Sequence, residues 1–226
     1  IGMCLIAGSV RYKEQTYTVT GVNASLVALM SISVLAFVLP NYTTSVNGPF
    51  YSSSQLIFVA LVTLVIYGVF VYIQTGRHRD YFLPDNGTDN EEVHAEPPSN
   101  LVTIVSVVML MVSLGAVVLL AKTLSPSIEK AVVHMGAPKT LVGVIVALVI
   151  LLPEGTAAIK AARKNRLQTS LNLALGSAMA SIGLTIPCVA LVSLFTGMKV
   201  TLGIDTKSMV LMMLSLLVVI LSLGKT

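Results

Sequence analysis

Apolar runs of about twenty residues recur along the chain, separated by polar connections, and each is long enough to cross a bilayer as a helix. They cover about Val22 to Val38, Gln55 to Ile73, Leu101 to Ala121, Leu141 to Ala162, Ser170 to Leu194 and Met209 to Leu223. Ile1 to Val10 is too short to span and has no polar start. It reads as the tail of a helix that begins upstream, and the chain therefore as a fragment of a longer protein. The pattern predicts an all-α, polytopic transmembrane helical bundle.

The connections carry most of the polarity. Arg11 to Tyr17 is short and charged, whereas residues 41 to 54, after Pro40, hold no formal charge. Asn41-Tyr-Thr43 fits a glycosylation acceptor only as a weak three-residue pattern. Thr75 to Tyr81 leads into an acidic segment with Asp85, Asp89, Glu91, Glu92 and Glu96, together with His94, Pro97 and Pro98. That segment reads first as a solvated linker between two halves and second as a gatherer of divalent cations. Lys122 to Lys139 mixes charges with Ile128, Ala131, Val132 and Val133, which fits a short amphipathic helix along the membrane surface.

Loops must alternate sides. Arg11, Arg77, Arg79, Arg163 and Arg166 then share one side with Lys13, Lys164 and Lys225, against Lys122, Lys130, Lys139, Lys199 and Lys207 on the other. Every arginine falls on the richer side, which assigns that side and the acidic segment to the cytoplasm.

Composition narrows the class. Of 226 residues, 55% are hydrophobic and 11% charged, which excludes a soluble domain. The net charge of +4 resides in short loops, so no nucleic-acid partner is implied. Cys4 and Cys188 are far apart and give neither a disulfide framework nor zinc spacing. Without tryptophan, Tyr42, Tyr51, Tyr72 and Tyr81 are the candidate interfacial aromatics.

Against this background Glu154 stands out, because the other nine acids lie in connections. A carboxylate near the centre of a spanning helix costs about 2.5–3.5 kcal/mol on insertion scales, so it needs a cation, a proton or a polar neighbour. Pro153 removes a backbone N–H and Gly155 weakens the next turn, which predicts a kinked or unwound helix beside the acid. Freed carbonyls near a carboxylate suit a hard metal cation. The bland alternative is a glutamate kept protonated or paired for packing.

The following run offers neutral oxygens. Asn172, Ser177 and Ser181 are candidate ligands, and the two serines, four residues apart, share a face. Gly176, Ala180 and Gly183 allow close helix approach. Serines that merely join helices are the competing reading.

Pro153-Glu154-Gly155-Thr156-Ala157-Ala158, followed by Asn172-Leu-Ala-Leu-Gly-Ser177, resembles an α-repeat of the calcium/cation antiporter superfamily. The longer wording from Leu151 to Ala158, Ala161 to Arg166 and Asn172 to Pro187 is similar to the bacterial ChaA-type calcium (or sodium)/proton antiporters. Glu14-Gln15 and Tyr72 to Tyr81 resemble the same group. The resemblance implies half of an inverted-repeat antiporter fold, with residues 1–75 ending an N-terminal half. Residues 76–100 would form an acidic cytoplasmic linker, and 101–226 a C-terminal half with the second α-repeat.

By the same resemblance Glu154 is a cation and proton ligand, Ser177 a ligand or helix-contact residue, and Asn172 a further candidate. The N-terminal α-repeat, with its own acid, is expected upstream of Ile1. Ala178 departs from the asparagine many members carry after Gly-Ser.

These readings converge on an antiporter, not an enzyme, exchanging a metal cation (calcium, or else sodium or potassium) for protons in a bacterial inner membrane. It would work without a cofactor. Desolvation favours the protonated form of a carboxylate and a bound cation favours the ionised form, so one group serves two ligands in turn. A non-transporting scaffold is the alternative. An intramembrane hydrolase is disfavoured because His78, His94 and His134 all lie in connections.

Overall fold

The computed structural model describes residues 1–83, 99–136, 138 and 140–224. Every regular element among them is helical: α1 (Gly2–Ser9), α2 (Val19–Ser33), α3 (Ser53–Tyr72), α4 (Asn100–His134), α5 (Thr140–Arg163), α6 (Leu167–Thr196) and α7 (Thr206–Leu223). Among the described residues six helices, α2 to α7, are long and apolar enough to cross a membrane. The protein is an all-α, polytopic integral membrane protein. α1 is the short helix expected at the start, and the acidic segment with His94 lies outside the described residues.

Local chemistry sets the helix ends. Ser52 and Gln55 form a reciprocal capping box at the start of α3, through bonds of 3.4 and 3.0 Å. Asp205 caps α7 by accepting from the Lys207 and Ser208 amides at 3.1 and 3.3 Å. Gly197 closes α6 in the left-handed conformation, φ 69°.

Pro40 shapes the end of α2. Residues Val34–Val38 form a π-helical turn in which the Leu39 amide reaches back to the Val34 carbonyl. The Leu35 carbonyl then has no helical donor: Leu39 N–H is committed one residue earlier and Pro40 has no N–H. The Tyr51 hydroxyl supplies the missing bond at 2.5 Å. Of the four candidate interfacial aromatics Tyr51 is thus also an internal bridge, whereas Tyr42, Tyr72 and Tyr81 are exposed.

Two expectations are corrected. α4 does not stop at Ala121 before a separate surface helix but continues through Pro126 and Glu129 to His134. The charges from Lys122 onward mark a change of solvent, and a helix tolerates that change. α5 is not unwound at Pro153 or Gly155, since every residue from Thr140 to Arg163 stays helical. The ring costs the Val149 carbonyl its donor without ending the helix.

The chain divides into two compact units, one of Ile1–Asp85 with Glu154–Thr226 and one of Asn86–Pro153. The second contains α4 and the first part of α5. Val117, Leu120 and Leu124 of α4 line an apolar groove of about 250 Å³ there with Val146, Val149 and Pro153 of α5.

In the first unit α6 is central. Its Leu171, Leu175 and Met179 pack with Val22, Leu26, Leu29 and Ile32 of α2 and with Phe70 of α3. Further along, Ile186 and Ala190 meet Ala36, Leu56, Val59 and Leu202. Gly183 lies directly on Tyr67, the kind of small-residue contact that lets membrane helices approach closely. Of the three small residues noted on α6, Gly176 by contrast has open space beside it.

Hydrogen bonds gather the connections of this unit into two ends. At one, Gly203 N–H meets the Pro49 carbonyl at 3.2 Å, Ile204 N–H meets Phe37 O at 3.2 Å, and Asn41 Nδ2 meets Ile204 O at 2.8 Å. At the other, Gln15 reaches the end of α5, Thr18 reaches Gln168, Asn172 reaches Phe82, and Tyr17 reaches Leu223 O. The segments carrying all five arginines, 11, 77–79 and 163–166, belong to this second end.

Candidate functional site

Glu154 and Ser177 meet between α5 and α6. The Ser177 hydroxyl donates a hydrogen bond to Oε2 of Glu154. Three residues, Lys164 to Arg166, make the turn that joins these helices. Asn165 takes the left-handed conformation there (φ 61°), which asparagine tolerates better than most side chains. At a rise of about 1.5 Å per residue, Glu154 lies about 14 Å from Arg163 and Ser177 about 15 Å from Leu167. Half of a hydrocarbon core of about 30 Å is a similar length.

The pair is open. Glu154 is exposed, and a side chain added at Gly155 or at Gly176 would meet nothing within 4 Å. An ionised carboxylate offers about four lone-pair positions, of which the serine occupies one. The others remain able to take a proton or a cation. Among the described residues no three His, Cys, Asp or Glu side chains come together as a metal site.

The other two sequence candidates are placed differently. Asn172 uses both ends of its amide elsewhere, with Nδ2 donating to the Phe82 carbonyl at 2.5 Å and Oδ1 accepting from Gln168 Nε2 at 3.1 Å. Ser181, one turn beyond Ser177, is exposed, and its side chain makes no hydrogen bond among the described residues. A cavity of about 400 Å³ lined by Tyr51, Ser52, Leu56, Met198 and Lys199 opens at the other end of the unit and includes neither Glu154 nor Ser177.

The sequence reading did not single out Gln168. It is 2% exposed and accepts from the Thr18 amide at 2.7 Å, filling the place of a cap at the start of α2, where the Thr18 side chain makes no cap bond. Its only sequence signal is a glutamine at the edge of an apolar run. Gln15, noted only as part of a resemblance, donates to the Ala162 carbonyl at 2.8 Å and to Asn165 Oδ1 at 3.2 Å.

The chain is 42% identical over 224 residues to a protein of Sinorhizobium fredii named as an ionic transporter, covering 99% of this chain and 60% of the relative. It is 32% identical over 230 residues to the sodium-potassium/proton antiporter ChaA of Escherichia coli, covering 100% and 62%. Against the Ca(2+)/H(+) antiporter ChaA of Bacillus subtilis it is 22% identical over 220 residues, covering 97% and 62%. The chain thus spans about three fifths of the length of these relatives. No solved structure matches it. The profile of the sodium/calcium exchanger proteins matches residues 1–76 and 105–225, and the chain belongs to that family.

Proposed function

We propose that the full-length protein is a secondary active antiporter exchanging a metal cation for protons, with Glu154 and Ser177 forming part of its cation- and proton-binding site. The observation that carries this reading is the bond between them: a carboxylate inside a spanning helix held by a hydroxyl of the next one. A carboxylate away from bulk water needs compensation, which either a proton or a cation provides. Each ligand displaces the other, and that exclusion couples the two fluxes.

Relatives named for sodium-potassium/proton and for calcium/proton antiport support a cation cargo of sodium, potassium or calcium. Glu154 is the metal ligand in this reading, and Ser181, on the same face as Ser177, lines the approach to it. Asn172 acts by holding α6 and not as a ligand. The inverted-repeat arrangement places a second acid in the remainder of the full-length protein, with residues 76–100 linking the halves. The bacterial relatives support an inner-membrane location, and the end holding all five arginines is the cytoplasmic one.

The test is Glu154→Gln in the full-length protein, in everted membrane vesicles with an imposed pH gradient. Uptake of sodium, potassium and calcium should all be lost while the protein still reaches the membrane in normal amount. Uptake at the unmodified rate would rule out the site.

A further inference from the structure

Two glutamines tie the first unit together reciprocally at its arginine-bearing end. Gln15, between α1 and α2, donates to the last turn of α5 at Ala162 O and to the turn residue Asn165. Gln168, at the start of α6, accepts from the Thr18 amide that begins α2. Each connection thus satisfies a backbone group of the other. Gln168 continues the chain through Asn172 to the carbonyl of Phe82. Phe82 is itself buried, edge-on to Phe70 at 6.0 Å. Its neighbour Tyr81 presses its backbone carbonyl against Gly21 of α2, where a Cβ would not fit. The groups joined by these bonds come from four places in the sequence: 15–18, 82, 162–165 and 168–172.

We infer that Gln15, Gln168 and Asn172 are positioning residues: a polar cross-tie that fixes the height and rotation of the α5–α6 hairpin against α2. This inference rests on the reading of Glu154 and Ser177 as the site. The short turn already ties the Glu154–Arg163 stretch of α5 to α6 but leaves these two segments free to slide or roll together against α2. Apolar packing alone resists that weakly, since side chains within a membrane gain little by leaving lipid for one another. Directional bonds to backbone groups do resist it, and a network acts as a unit. Glu154 lies about 12 Å up α5 from Ala162, and Ser177 about 8 Å up α6 from Asn172. A roll of one residue's pitch, about 100°, would carry both away from their common face. A binding constellation tolerates far less than that.

The experiment uses the full-length protein in everted vesicles. Initial rates are measured against sodium, potassium or calcium concentration and against pH, normalised to the amount of protein. Gln15→Met and Gln168→Met keep side-chain length and remove the bonds. Each should raise the KM for the transported cation about three- to tenfold and shift the pH profile, with a smaller effect on kcat, as expected when the site is loosened without losing a ligand. The double variant should fall short of the product of the single effects, because both act on one body. Single variants with parental KM and pH profile, altered only in abundance, would overturn the proposal.

A second design covers poor folding: Gln15→Cys with Asn165→Cys, in a background with Cys4 and Cys188 changed to alanine. Linking the pair with a short bis-methanethiosulfonate bridge, which joins each thiol through a disulfide with release of methanesulfinate, should restore the parental KM, and reducing those disulfides should raise it; identical kinetics in both states would equally overturn the tie. Glu154→Gln is run in parallel. If it transports, the site reading fails; if it is dead while the tie variants behave as parent, the tie alone fails.

Discussion

Gly183 of α6 rests on the ring-bearing carbon of Tyr67 in α3: a Cβ placed on the glycine would come within 2.8 Å of Tyr67 Cβ and 2.9 Å of its Cγ. These are the near, inflexible atoms of the tyrosine, so a methyl group there must push the helices apart. Gly183→Ala should destabilise the protein by about 1–3 kcal/mol, as overpacking does elsewhere. The check is a lowered Tm in detergent, with Gly176→Ala, which faces open space, as the unaffected comparison.

Ser177→Ala should weaken cation transport less than Glu154→Gln does. The hydroxyl is a neutral donor to the carboxylate, and water can take its place at an open site. A raised cation KM with residual exchange in vesicles is the expected result. Complete loss at normal abundance would show the hydroxyl to be as necessary as the charge.

Tyr51→Phe should cost about 1–3 kcal/mol, because the Leu35 carbonyl loses the only donor that replaces those removed by the π turn and Pro40. Burial pushes the Tyr51 phenol from 10.0 up to about 12. The unfolded chain therefore loses this proton first. The associated stability is complete below pH 10 and disappears as pH rises from 10 towards 12. Alkaline unfolding of the parent should show this decline and Tyr51→Phe should not.

Asp205 lies below the ordinary aspartate range, first because of the Ser208 hydroxyl and then because of the Ser208 and Lys207 amides. A lowered value in the folded state means that the cap on α7 is complete above the unfolded aspartate's pKa and is lost as pH falls through its own. Protection of the first-turn amides of α7 against hydrogen exchange, relative to the intrinsic rate at each pH, should fall on acidification. In Asp205→Ala that protection should be low throughout the range.

Much of the fold was legible because an apolar run of spanning length has few alternatives to a helix, and all six runs became one. Glu154 draws attention for the same reason, since a lone acid in such a run needs an explanation, and the structure adds the Ser177 hydroxyl beside it. Asn172 shows the limit. An amide on an apolar helix looks like a ligand in sequence, and only the position of Phe82, ninety residues away, reveals that it is spoken for. Gln168 was missed because a glutamine at the edge of a run looks solvated until the Thr18 amide is placed over it. The end of α4 was misjudged because charges locate the water without ending a helix, and α4 carries even Pro126 as an internal residue on its way to His134.

The length of α4 has a consequence for the bilayer around it. Its apolar stretch, from Asn100 to Ala121, measures about 33 Å, and the charged continuation, which includes Pro126, adds about 20 Å more in the same helix. A membrane thinner than the apolar stretch requires tilt, and a thicker one draws Lys122 towards the acyl chains, at a cost of fractions of a kcal/mol per Å of mismatch. A helix that passes from hydrocarbon into water without a break carries a tilt of its apolar stretch into its charged continuation, so the position of His134 depends on the thickness of the lipid. α4 is, in effect, a gauge of bilayer thickness.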